Sequence, residues 1–219
     1  AVAMFALGVF TVTMTTRIAI FMGDARHPEL SLEPEIPFLV EHSCLTAYVQ
    51  GARLASDGVA NIYDMDQWPH LRDTPQARAN AVPYAPCGLD AFAYPPPFLL
   101  LPRVLLTPLG DFASQRALWF AVNALCLAAG LWIVATWLGG RAGLRALLLI
   151  PCIWIGQSTL ATLQVGNVHA IVVVAAMLAL TCHSFEGNHR HRAAWLTMSK
   201  PQRTRVLTPC FVNISSNAH

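Results

Sequence analysis

Hydrophobic residues along this chain are gathered into blocks that are separated by polar stretches. The first block covers residues 1–22 and contains a single charged residue, Arg17. A helix needs about 20 residues to cross the hydrocarbon core of a bilayer. We therefore predict a first transmembrane helix over residues 1–22, with Arg17 close enough to its polar end to extend its guanidinium out of the apolar layer.

A long polar segment over residues 23–93 follows the first block. It contains nearly all of the acidic residues and several prolines, which interrupt regular structure. Within it, Leu45–Leu54 has the pattern of a helix. We predict an extracytoplasmic loop that carries short helices.

Four more hydrophobic blocks follow the loop, which brings the total to five. They cover residues 94–112, 117–138, 146–160 and 168–182. Prolines at positions 95, 96, 97, 102 and 108 exclude one straight helix in the block at 94–112, so we expect a kinked or partly re-entrant span there. Residues 139–145 are predicted to form a short turn. The fold class is therefore all-α, in a polytopic membrane protein.

The basic residues after these blocks allow two topologies. Under the positive-inside rule, Arg141, Arg145 and the polar, basic tail at 183–219 would all be cytoplasmic. A fully crossing block at 94–112 after an outer loop would instead place both arginines outside. The tail carries no further span, and we expect it to be truncated or disordered.

Composition supports the membrane class and argues against a nucleic-acid partner and a metal site. The chain has 219 residues, of which 55% are hydrophobic and 12% charged, more apolar than a soluble core of this size requires. A net charge of +2 without a basic face argues against a nucleic-acid partner. The six cysteines form no CxxC pair, so we predict no metal and no cofactor. A disulfide between Cys44 and Cys87 is an open alternative if their loop faces an oxidising compartment.

Ionisable side chains suited to acid–base chemistry are concentrated in the loop. The candidate bases are Glu41, Asp57, Asp64, Asp66, Asp73 and Asp90. A transferase that uses a lipid-phosphate sugar donor needs a base for the acceptor hydroxyl and cationic groups for the departing phosphate. Three amides, Gln157, Gln164 and Asn167, interrupt an apolar region, where an unpaired amide is costly. They either line a polar site or bond to neighbouring helices.

Several short motifs occur in an ordered series along the chain. They are YVQGARL at 48–54, IYD at 62–64, FAYPP at 92–96, LW at 118–119, QVGN at 164–167 and KPQ at 200–202. In this order and spacing the chain resembles glycosyltransferase family 87, the polyprenol-phosphate-mannose-dependent type within the multi-span superfamily of lipid-linked-sugar glycosyltransferases. Cys44 stands where that family has an aspartate that looks like the catalytic base. The family's later spans do not follow KPQ here, so we expect a C-terminally truncated or divergent member.

The resemblance implies a multi-pass enzyme of the bacterial inner membrane. It would move a hexose, expected to be mannose, from a polyprenyl-phosphate donor to a lipid or polysaccharide acceptor, with membrane lipids as further partners. The candidate catalytic residues are Glu41, Asp64 and Asp90, and the candidate substrate-binding residues are Tyr48, Tyr94, Gln164, Asn167 and Lys200. The alternative is an inactive membrane protein that binds only a lipid or a partner.

Overall fold

Helices provide the regular structure of this chain. The computed structural model describes the backbone of residues 2–198 and the side chains of residues 2–183. The α-helices in this range are α1 (Val2–Gly23), α2 (Pro37–Glu41), α3 (Leu45–Ser56), α4 (Pro75–Ala81), α5 (Leu100–Leu105), α6 (Phe112–Leu138), α7 (Gly140–Trp154), α8 (Gln157–Val165) and α9 (His169–Met198). Single 3-10 turns lie at Pro28–Leu30, Met65–Gln67, Val82–Tyr84, Pro96–Leu99 and Thr107–Leu109. No strand occurs between residues 2 and 198, which confirms the all-α class.

The chain divides into two units, Ala1–Thr181 and Cys182–His219. The features discussed below all belong to the first unit. Of the tail predicted at residues 183–219, residues 183–198 form the end of α9 and residues 199–219 lie outside the described residues, so its truncation or disorder stays a prediction.

Two helices, α1 and α6, are long and apolar enough to cross a membrane. The α7–α8 pair is bent by 63° and adds a third span if the two helices cross as one. Two shorter apolar stretches, Pro96–Leu109 around α5 and the His169–His183 part of α9, each have 10–17 residues. At 1.5 Å per residue an apolar stretch of that length reaches about 25 Å at most, short of the roughly 30 Å of a bilayer core. The structure therefore has two to three candidate spans, and the predicted count of five blocks is not confirmed.

Polar side chains of α1 bond to the backbone of their own helix or of the loop. Hydroxyls of Thr11, Thr13 and Thr15 donate to carbonyls four residues earlier, at 2.8–2.9 Å. Arg17 donates from Nη2 to the carbonyl oxygens of Glu29 and Ser31, at 3.0 and 2.5 Å. The single charge of the first block is thus directed toward the start of the loop, where it binds backbone.

The loop is a folded layer around α3. The predicted helix at Leu45–Leu54 is confirmed as Leu45–Ser56, and nine of its twelve residues are buried. Its apolar side chains share one core with Trp68 and Tyr84 from the loop and with Trp119 from α6. Because this core joins loop and bundle, the loop is packed onto α6.

Helices α6 and α7 form a tight hairpin at a two-glycine turn. Gly139 and Gly140 have φ values of +62° and +49°, which favour glycine because other residues are strained there. Helix α7 begins at Gly140, so residues 140–145 are helical and the turn predicted over residues 139–145 is wrong for those residues. Helix α7 ends at Trp154, and Gly156 precedes α8. Pro151, in the last turn of α7, has no N–H with which to donate a helical hydrogen bond.

Close packing of this hairpin requires a glycine at position 143. A Cβ atom there would overlap the carbonyl oxygen of Ala135 on α6, which cannot move without distorting that helix. We expect Gly143→Ala to lower the stability of the chain in detergent by about 1–3 kcal/mol, measured by thermal unfolding. The control is Gly8→Ala on α1, where the added Cβ has no neighbour within 4 Å and alanine is the better helix former. Equal melting temperatures for the two variants would contradict the α6–α7 packing.

Candidate functional site

A cavity of about 570 Å3 lies in the loop beside α2. One wall is formed by α2 and the residues that follow it, and the other by the segment between α4 and Asp90. Its ionisable lining residues are Glu41, His42, His70, Arg78 and Asp90. Two carboxylates and three basic side chains from separate parts of the loop therefore share one space.

The α2 wall is fixed to the end of α8 by the side chain of Gln164. Its Oε1 accepts from the Leu32 N–H at 2.6 Å, and its Nε2 donates to the Leu39 carbonyl at 2.5 Å. The neighbouring carbonyl of Val165 accepts from the Cys44 N–H at 2.8 Å. Gln164 is only 1% exposed, so its amide is paired with loop backbone in place of water. The chain on both sides of α2 is thereby held against α8.

The opposite wall is held by Thr46 and by the backbone of Glu41. The Gly88 N–H donates to the Glu41 carbonyl at 2.8 Å. Thr46 Oγ1 accepts from the Asp90 N–H at 3.1 Å and lies 3.1 Å from the Gly88 carbonyl oxygen. These contacts fix the backbone that carries Asp90 beside the end of α2.

Inside the cavity, Asp90 and His42 form an ion pair. Asp90 Oδ2 lies 3.3 Å from His42 Nδ1, and Asp90 Oδ1 lies 3.8 Å from His70 Nε2. His42 Nε2 is 3.4 Å from Cys44 Sγ, and its ring stacks on Phe38 with the centroids 4.3 Å apart. The hydrogen bond with Asp90, and then that with Cys44, raises the pKa of His42 to about 9. At neutral pH this ring is therefore a fixed positive charge.

The same three side chains have the composition of a metal site. Ligand atoms of His42, Cys44 and Asp90 lie within 4.8 Å of one another, and nitrogen, sulfur and oxygen donors together suit Zn2+. However, the two ring nitrogens of His42 face different partners, so one ion cannot take the place of both contacts. The arrangement is that of a hydrogen-bonded chain, and the predicted absence of a metal remains a prediction.

Of the three predicted catalytic carboxylates, the structure brings Glu41 and Asp90 together. Glu41 is exposed at the cavity and has no ion-pair partner among the side chains of residues 2–183. Asp64 lies elsewhere: its Oδ1 accepts from the Asp66 N–H at 3.1 Å and caps the turn Met65–Gln67. The cavity therefore contains two of the predicted bases.

Tyr48 and Tyr94 meet in an aromatic cluster outside the cavity lining. The Tyr48 hydroxyl donates to the Tyr94 hydroxyl at 3.0 Å, and Tyr63 donates to the Tyr94 carbonyl at 2.7 Å. Phe92 and Phe98 pack against Tyr94. Burial, assisted by the bond to Tyr94, raises the pKa of Tyr48, so its hydroxyl stays neutral. The pair joins α3 to the proline-rich segment.

The remaining predicted substrate-binding residues are dispersed. Gln164 is buried in the bonds described above. Asn167 Oδ1 accepts from the His169 N–H at 3.2 Å, where α9 begins, and its side chain is partly exposed. Lys200 lies outside the described residues.

Two histidines of the cavity were missed by sequence reasoning. His42 lies two residues before Cys44, so a search for replacements near the altered aspartate position would have found it. His70 has no such signal, because only the fold brings it near Asp90. Cys44 and Cys87 are both free thiols, so the structure does not contain the disulfide that the sequence left open.

Comparison with known families gives this arrangement a context. The family model of glycosyltransferase family 87 matches residues 92–198. This match supports membership of glycosyltransferase family 87. The match begins at Phe92, at the end of the loop, and ends at the last residue of α9. The comparisons with curated proteins and with solved structures found no match.

The family 87 match confirms the resemblance and, together with the apolar helices, indicates a membrane glycosyltransferase. Tyr94, Gln164 and Asn167 lie within the matched segment. Glu41, His42 and Asp90 precede it, so their roles depend on the geometry of the cavity alone.

The bonds of Gln164 predict a structural contribution that can be measured. Gln164→Leu leaves the buried Leu39 carbonyl and the partly buried Leu32 N–H unpaired, at a cost of about 1–3 kcal/mol for the buried group and less for the other. We expect a lower melting temperature in detergent and faster proteolysis between α1 and α3. The control is Gln157→Leu, whose exposed amide donates to Glu33 and whose loss should change little. Unchanged proteolysis in Gln164→Leu would contradict the attachment of the loop to α8.

The ion pair of His42 predicts a pH-dependent stability. Since the folded-state pKa of about 9 exceeds the ordinary 6.5, the stabilisation is fully present below about pH 6.5 and is lost as pH rises through 9. We expect the melting temperature of the parent to fall more steeply over this range than that of His42→Gln. Asp90→Asn, which removes the main cause of the shift, should flatten the curve in the same way. Parallel curves for all three proteins would show that the pair does not form.

Proposed function

We propose that this chain is a membrane glycosyltransferase that moves a hexose, mannose in the first instance, from polyprenyl phosphate to a lipid or polysaccharide acceptor. The observation that supports this most is the cavity beside α2. It combines a free carboxylate with a fixed positive charge, and it lies in a loop attached to the membrane bundle. These are the groups that displacement of a phosphate leaving group requires.

Glu41 is the base in this proposal. Its carboxylate lines the cavity and is free of ion pairs in the described part of the chain, whereas Asp90 is engaged by two histidines. Glu41 would take the proton from the acceptor hydroxyl as the acceptor oxygen bonds to the anomeric carbon. The bond from that carbon to the phosphate oxygen breaks in the same step, so the configuration is inverted.

His42 is the group that would receive the departing phosphate. Its imidazolium is fixed by Asp90 and stacked on Phe38, so its charge is already oriented before the donor binds. The negative charge that develops on the polyprenyl phosphate would be stabilised by this preorganised cation. Asp90 acts on His42 and is therefore a positioning residue.

The attachment of the loop to α8 suits a donor that stays in the bilayer. The lipid tail would remain among the helices while the sugar phosphate reaches the cavity. Within this proposal Tyr94 and Asn167, which are partly exposed, keep substrate-binding roles. Tyr48 and Gln164, which are buried and bonded to protein, hold the site. The bacterial inner membrane, with the loop on its outer face, is the proposed location.

A transfer assay with matched carboxylate variants tests the proposal. Membranes that contain the chain are supplied with radiolabelled polyprenyl-phosphate mannose and a crude lipid acceptor. We expect transfer by the parent and a loss of roughly a hundredfold or more in Glu41→Gln. Asp64→Asn is the control, since asparagine caps the turn as well as aspartate does and Asp64 lies outside the cavity. Full activity in Glu41→Gln would reject Glu41 as the base.

Cys44 supports a second candidate, an inactive membrane protein that binds only a lipid or a partner. Its thiol stands at the position where family 87 is expected to have an aspartate. An inactive parent with activity gained in Cys44→Asp would favour this candidate and would place the missing base at position 44.

A further inference from the structure

Arg116, near the start of α6, is a buried cation that forms no ion pair with the side chains of residues 2–183. Its side chain is 97% removed from solvent, since the residue is 3% exposed. Nη2 donates to Met22 Sδ at 3.5 Å, a weak acceptor, and the guanidinium lies over the Phe21 ring at 5.0 Å. Nε is buried without a hydrogen-bond partner. No carboxylate of the described residues lies within 4.0 Å of it.

A buried charge without an anion is unfavourable by several kcal/mol unless a ligand compensates it. The aromatic ring of Phe21 and the sulfur of Met22 offset only part of that penalty. The missing partner is therefore expected to be an anion other than the carboxylates of residues 2–183.

A cavity of about 250 Å3 adjoins Arg116 at the start of α6. The backbone N–H groups of Ser114 and Gln115 in the first turn of the helix are already bonded to Asp111, so the guanidinium of Arg116 is the group left to bind an anion. The cavity is also lined by the segment of residues 83–87, whose other side faces the larger cavity beside α2.

The other charged groups of this small cavity are already engaged. Asp24 forms a bidentate pair with Arg26, at 2.8 and 2.7 Å. The Asp111 carboxylate accepts from the Ser114 N–H at 2.8 Å and caps α6. Asp24 attracts Arg116 electrostatically, but its bonds are made to Arg26, so among the described charged residues of this lining Arg116 is the one without an ion pair or a capping bond.

The depth of the site identifies the source of the anion. Phe21 and Met22 lie at the end of α1, and Arg116 lies in the second turn of α6, so the guanidinium sits between the ends of the two clearest membrane-spanning helices. Lipid phosphates occupy this depth in a bilayer, and guanidinium binds phosphate oxygens in a fork geometry. We infer that Arg116 binds the phosphate group of a membrane lipid. The inference is independent of the proposed transfer reaction.

Lipid-dependent stability of the full chain in detergent tests this site. The probes are short-chain phosphatidic acid, a short-chain diacylglycerol without phosphate, and inorganic phosphate. We expect phosphatidic acid to raise the melting temperature of the parent, the diacylglycerol to have no such effect, and inorganic phosphate to bind more weakly because it lacks the acyl chains. Binding of inorganic phosphate as tight as that of phosphatidic acid would overturn the assignment to a lipid.

Variants at the arginine separate binding from folding. In Arg116→Gln the apparent affinity for phosphatidic acid should fall roughly tenfold or more, because a charge-assisted hydrogen bond is lost. Arg116→Lys keeps the charge without the fork and should lose less. The control is Arg103→Gln, an exposed arginine on α5, which should respond to the lipid as the parent does.

The lipid-free proteins provide a second measurement. If the charge of Arg116 is compensated only by a bound anion, lipid-free Arg116→Gln should be at least as stable as the lipid-free parent, since an uncompensated buried charge is removed. Marked destabilisation of lipid-free Arg116→Gln, or an unchanged response to phosphatidic acid, would show that the arginine serves packing only and would overturn the inference.

Discussion

Three hydrogen bonds at the end of α8 determine where the loop lies on the membrane bundle. Gln164 contributes two of them and the Val165 carbonyl the third, and all three are made to loop backbone. Because backbone groups buried without partners are costly, these contacts exclude alternative positions of α2 that lack them. The cavity, its histidines and its carboxylates all follow from this attachment, since α2 forms one of the cavity walls.

The parts of the fold that the sequence predicts well are those that need no distant partner. The block at residues 1–22 and the block at 117–138 became α1 and α6 because a long apolar run in a membrane satisfies its backbone by forming a helix. The short helix after Cys44 followed from its local pattern. The blocks at 94–112 and 146–160 were harder, because their prolines and Gly156 mark breaks without giving the length of helix on either side.

The candidate site divides in the same way. Glu41 and Asp90 could be named from the loop composition, and the structure brings both to one cavity. The chain gives no local sign that Asp64 caps a turn while Asp90 pairs with His42, because that choice depends on contacts between distant segments. For Gln164 the sequence allowed either a polar site or bonds to neighbouring structure. Its burial and its two backbone partners agree with the second.

The acceptors at the end of α8 also bear on how the molecule is assembled. The Val165 carbonyl binds the Cys44 N–H, and the Gly166 carbonyl binds the Trp119 indole at 2.7 Å. Ribosomes make the two donors well before the two acceptors. The bonds that attach the loop and α6 to the end of α8 can therefore form only after α8 has been synthesised, so the cavity is completed late in biogenesis.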